Sequence, residues 1–79
     1  MKTIKLDVTI IIDGITIEVL NVRPPKVRDR LLAEKGSGGP EEKEVRFIAN
    51  LCDVTPETIE ELDLSDYIKV QEAVNDFLS

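Results

Sequence analysis

The dipeptide Asp13-Gly14, set inside IKLDVTIIIDGITIEVLNV (residues 4–22), constrains this chain more than any other feature. Asp-Gly between β-branched runs suits the positive φ angles of a two-residue type I′ turn, so the segment reads as a β-hairpin over residues 3–23. Such a turn pairs Ile12 with Ile15, Ile10 with Ile17 and Val8 with Val19, which puts six β-branched residues on one face. Thr9, Thr16 and Glu18 fall on the other. Continued strictly, the register would oppose Leu6 to Asn21 and Ile4 to Arg23 and turn Leu20 and Val22 outward. One extra residue near Val19 to Asn21 restores the apolar face, with Leu6 facing Leu20 and Ile4 facing Val22, so a bulge is predicted there. Arg23-Pro24-Pro25 then ends the second strand, because proline has no ladder donor and restricts the residue before it.

Helices are expected over residues 26–79. Val27, Leu31 and Leu32 give Lys26 to Lys35 a narrow apolar stripe, with Gly36 placed as its stop. Gly36-Ser-Gly-Gly-Pro40 reads as a flexible link. Pro40 suits the first turn of a second helix, whose stripe is Val45, Ile48, Ala49 and Cys52 at i, i+3, i+4 and i+7. The stretch DVTPETIEELDLSDY (residues 53–67) holds two helix starts in succession. Thr55 caps a short helix opened by Pro56, with Ile59 and Leu62 turned inward. Asp63 caps the last helix, with Asp66 at its third position as the capping-box partner and Leu62 stapled onto Tyr67. That helix should run from about Leu64 to Phe77, with Leu64, Tyr67, Ile68, Gln71, Val74, Phe77 and Leu78 at helical spacing. The fold class is therefore α+β, a hairpin packed against three to four short helices in the order ββαααα, as one small domain over residues 1–79.

A chain of 79 residues, 42% of them hydrophobic, has a core near the lower limit for independent stability, which makes a partner or homo-oligomer an expectation. Its net charge of −6 sets it against nucleic acid and anionic membrane surfaces. The charge is uneven, because Arg23–Lys35 carries five basic and two acidic residues while Asp53–Ser79 carries eight acidic and one basic. Its apolar runs are too short for a membrane span, its one cysteine excludes an internal disulfide, and MKTIKLDVTI lacks the unbroken apolar stretch of a signal peptide. A cytoplasmic location is expected.

Little catalytic chemistry is available. There is no histidine, and Cys52 sits on an apolar stripe beside Asp53, where thiolate is disfavoured. The glycine-rich link lacks the GxxxxGK[ST] spacing and precedes glutamates that would repel phosphate. DLSDYIKVQEAV lacks the glycine of a calcium loop and reads as continuous helix. The chain is expected to be no enzyme, with no catalytic residues, cofactor or metal.

In order, LNVRPPKVRDRLLAEKG and EVRFIANLCDVTPETIEELDLSDYIKVQEAV resemble the small tail assembly chaperones of contractile-tailed bacteriophages and related prophages. The matching positions are Leu20, Pro25, Val27 and Asp29, then Leu51, Thr55 to Glu57, Leu62 to Leu64, Asp66 and Tyr67, which together cover most of the chain after Val19. The resemblance implies a non-enzymatic assembly factor that binds the tape measure protein in the host cytoplasm before the tail tube polymerises. A groove beside the last helix, rimmed by Asp66, Tyr67, Gln71 and Val74, is the expected seat for a partner helix. Two other readings stay open: an acidic adaptor or antitoxin-like inhibitor that captures a basic protein, and a minor structural tail subunit.

Overall fold

The computed structural model describes residues 1–79. Strands β1 (Lys2–Ile12) and β2 (Ile15–Val22) form an antiparallel hairpin, followed by α1 (Val27–Glu34), α2 (Pro40–Cys52), α3 (Pro56–Glu60) and α4 (Leu64–Leu78). This is the expected ββαααα order. The turn has positive φ at both central residues, 51° at Asp13 and 79° at Gly14, as type I′ geometry requires. Against the hairpin, α4 packs mainly on β1 and α2 on β2, so these two helices form the layer beneath it, with α1 and α3 packed on α2. The core lies between the layers, where Leu6, Ile10, Leu20 and Val22 meet Ile48, Leu51, Val70 and Val74, all buried. Burying each such side chain contributes about 1.5–3 kcal/mol.

The hairpin register is as expected at the turn, with Ile12 opposite Ile15 and Ile10 opposite Ile17. Beyond that point it departs from expectation. Lys5 pairs with Val19, Ile4 with Leu20 and Lys2 with Val22, so Leu6, Asp7, Val8 and Thr9 stand against Glu18 alone. The irregularity thus puts its extra residues on β1. Val8 and Val19 do not pair and both are exposed, whereas Leu6, Leu20 and Val22 reach the core as the pattern required. The cause lies outside the hairpin: the freed N–H groups of Asp7 and Val8 donate to the Asp66 carboxylate of α4 at 2.9 and 3.0 Å, and Lys69 Nζ donates to Lys5 O at 2.8 Å. A wide bulge leaves main-chain donors without ladder partners, and α4 supplies an acceptor.

Two predicted apolar stripes are turned differently. α1 buries Asp29 and Ala33, and exposes Val27, Leu31 and Leu32. Arg23 explains the inversion. Its N–H donates to Leu51 O at 3.1 Å, which fixes the end of β2 on α2, and its guanidinium donates to Asp29 Oδ2 at 2.8 Å. Lys26 N also donates to Asp29 Oδ2, at 2.8 Å, so the buried carboxylate is satisfied on several sides. At the other end of α1, the Arg46 guanidinium donates to Ala33 O and lies so close to Gly36 that an added Cβ would meet it at 2.5 Å. α1 stops just ahead of Gly36, as expected, and Gly36 follows without a positive φ.

In α4 the buried positions are Asp66, Val70, Ala73 and Val74, with Leu64, Ile68 and Leu78 exposed. Val70, Ala73 and Val74 follow Asp66 at i+4, i+7 and i+8, so the bond from Asp66 to the bulge sets the rotation of the helix. The two helix starts behave as predicted at their caps. Thr55 Oγ1 accepts from Thr58 N at 3.3 Å behind Pro56, and Asp63 Oδ2 accepts from Ser65 N at 3.2 Å. Asp66 does not complete a capping box with Asp63, because its oxygens are used by β1.

Candidate functional site

A groove of about 540 Å³ runs between α1, α2 and α4. Phe47 and Ile48 of α2 contribute to its lining, Ala33 comes from α1, and Ile68, Val74 and Leu78 come from α4. Each helix contributes by its periodicity. Arg30, Ala33 and Glu34 recur at i, i+3 and i+4 on α1; Glu44, Phe47 and Ile48 do so on α2; Gln71, Val74 and Asn75 do so on α4. The apolar lining is thus crossed by charged and amide groups from all three helices, the arrangement of a site that selects by shape and sign together.

Those polar groups pair across the groove and hold its walls. Lys43 Nζ lies 3.3 Å from Glu34 Oε2, joining α2 to α1. Gln71 Nε2 donates to Glu44 Oε1, joining α4 to α2. The Arg30 guanidinium sits over the Phe47 ring, 5.1 Å from its centroid, a cation–π contact at the open edge. The Tyr67 hydroxyl is pushed up to about 12 by burial and then by the nearby Glu44 carboxylate, so it stays a neutral donor throughout the physiological range.

Of the four residues expected to rim a partner groove, Gln71 and Val74 line this one. Tyr67 is half-buried against the core, next to Glu44 of the groove wall. Asp66 is fully buried beneath β1 and does not border the groove. The α1 wall and the Phe47 lining carry sequence signals that are weak singly: a small residue, Ala33, between Arg30 and Glu34 at helical spacing, and an aromatic on α2 between two residues of its buried stripe. Only the packing of α1 on α2 brings them together.

Elsewhere, the Cys52 thiol is buried and pushed up to about 11 by that burial, which leaves it protonated and inert as a nucleophile. No group of three or more histidine, cysteine, aspartate or glutamate side chains is placed to hold a metal ion. No helix is long and apolar enough to cross a membrane.

Comparison with protein families matches residues 3–79 to the family described as "phage tail assembly chaperone proteins, E, or 41 or 14". In the parallel comparisons no curated protein and no solved structure matched. The family match extends over the hairpin, the glycine-rich link and all four helices, well beyond the stretches that carried the resemblance. The chain belongs to the family of phage tail assembly chaperone proteins.

Proposed function

We propose that this chaperone acts by holding a helical segment of the tape measure protein in the groove between α1, α2 and α4, and that it works by binding alone. The observation that carries the reading is the groove itself: hydrophobic side chains from three helices set among charged and amide groups and open to solvent. A helix laid in such a groove would present apolar anchors at i, i+3, i+4 and i+7 to Phe47, Ile68 and Leu78. A long helical protein exposes such anchors until the tube closes around it, so reversible cover in the host cytoplasm is what assembly would need. Phe47 gives the groove a large apolar contact of the kind that dominates binding energy at interfaces.

The test is co-purification of this chain with the tape measure product of the same phage or prophage, using Gln71→Arg and Ile68→Glu, both checked for native circular dichroism. Each variant is expected to weaken capture at least tenfold. Undiminished capture by both would remove the groove as the seat. Salt separates this reading from electrostatic capture of a basic protein: binding through apolar anchors should hold as ionic strength rises, while capture by the acidic C-terminal half should fall steeply.

A further inference from the structure

The charged groups of the groove are sorted along its length. At one end stand Glu34, Lys43, Glu44 and Glu72. Lys43 Nζ is committed to Glu34, while none of the five ion pairs of the structure uses Glu44 or Glu72. Glu44 accepts from Gln71 Nε2, an uncharged donor that positions the carboxylate without neutralising it, and Glu72 is the next residue of α4. This end therefore keeps two uncompensated negative charges. The other end has the opposite sign. α1 runs antiparallel to α2, with Glu34 beside Lys43 and, one turn away on both helices, Arg30 over Phe47. Arg30 is exposed, and its only ionic contact is with that ring, so its charge is free to meet a partner.

An apolar strip alone lets a helix lie in either direction. We propose, resting on the groove as a helix seat, that it also fixes the direction of the helix it takes. Its occupant carries an apolar strip bounded by a basic side chain at one end and an acidic one at the other. The basic end sits at Glu44 and Glu72, and the acidic end at Arg30. Turned end for end, the same helix would set its acid against two carboxylates and its base against a guanidinium, and like charges so opposed suppress the wrong arrangement. Exposed charges add little affinity, so Phe47, Ile68 and Leu78 hold the helix while the charges orient it.

The probe is a synthetic amphipathic peptide, helical by circular dichroism, with leucines at i, i+3, i+4 and i+7, a lysine before that strip and a glutamate after it. A nitroxide is attached in turn at its lysine end and its glutamate end, and the amide signals of the full chain are followed by NMR at low ionic strength, with α1 as the ruler. The lysine-end label is expected to broaden Glu34 and Lys35 more than Val27 and Arg28, and the glutamate-end label to do the reverse. The favoured direction should hold about a fivefold excess over the other, the size that exposed pairs supply. Arg30→Glu combined with Glu72→Lys, both at exposed positions, leaves the net charge at −6 but makes the Glu72 end neutral and the Arg30 end acidic. With its fold confirmed by circular dichroism, this double variant should exchange the two broadening patterns. Equal broadening along α1 by both labels in the wild type, or a wild-type pattern kept by the double variant, would overturn the inference and leave the groove as a helix seat. A probe that binds neither protein would overturn both.

Discussion

Asp29 and Asp66 occupy the same position, the third residue of a helix, at the starts of α1 and α4, and both are buried, at 1% and 0% exposure. Their partners differ in kind. Asp29 takes up a side-chain charge, Arg23, and reaches back to its own helix start at Lys26 N. Asp66 ignores its own helix start and accepts two main-chain N–H groups from β1, with Lys69 beside it at 3.1 Å. One carboxylate thus closes a local corner between β2 and α1, while the other joins elements nearly sixty residues apart. The difference teaches that a carboxylate at a helix start is a cap only when nothing farther away needs its oxygens more. The four residues of β1 set against Glu18 create that need.

The largest effect should come from removing Asp66. Two part-buried N–H groups and the Lys69 ammonium would lose their acceptor at once, so Asp66→Ala is expected to lower Tm by roughly 10 °C. Asp66→Asn should recover only part of the loss, because its carbonyl can accept one N–H while its amide donor faces the other. Asp29→Ala should cost about half as much, since Arg23 is half-buried and able to turn its guanidinium to solvent. Thermal melts of the three variants would break the comparison if Asp29→Ala proved the more damaging.

Acid should act on both sites. Arg23 holds the Asp29 carboxyl below the usual carboxylate range, and the N–H groups of Asp7 and Val8, with Lys69, do the same for Asp66. A carboxyl depressed in the folded state lends stability that is complete above its unfolded value, about 3.9, and is lost as pH falls through the lower folded value. Tm should therefore drop as pH is lowered past about 4. Asp66→Asn should show a shallower drop than the wild type, and an unchanged slope would mean that Asp66 carries no linkage.

The smallest effects come from the outer partners. Lys69→Met removes solvent-accessible contacts to Asp66, Asp7 and Lys5 O and should shift Tm by no more than a few degrees. Cys52, next to the Leu51 carbonyl that Arg23 N–H reaches, should alkylate at pH 8 roughly 100-fold more slowly than an ordinary thiol. Loosening the Arg23 corner by Asp29→Ala should raise that rate more than Lys69→Met does, and the reverse order would place Cys52 under the other region.

Local signals were legible wherever neighbours in sequence settle the energy. Asp13-Gly14 has φ angles few other pairs adopt, Pro56 behind Thr55 opens a helix, and the Val45, Ile48, Ala49 and Cys52 stripe lies toward the core at its expected spacing. The stripes of α1 and α4 misled because apolar spacing says which residues share a face and not which way that face points. Half of the expected groove rim, Gln71 and Val74, lies on the groove, while Asp66 was drawn beneath β1 by amides that no pattern in α4 announces.

By itself, the sequence determined the element order, the turn, the caps and most of the core, since each depends on backbone preference or on apolar periodicity within a few residues. Tertiary structure alone decided the bulge on β1, the rotation of α1 and α4, and hence the groove and the two outward stripes. Buried carboxylates must find partners: Asp29 found Arg23 close by in the chain, whereas Asp66 found the freed amides of Asp7 and Val8 at its far end.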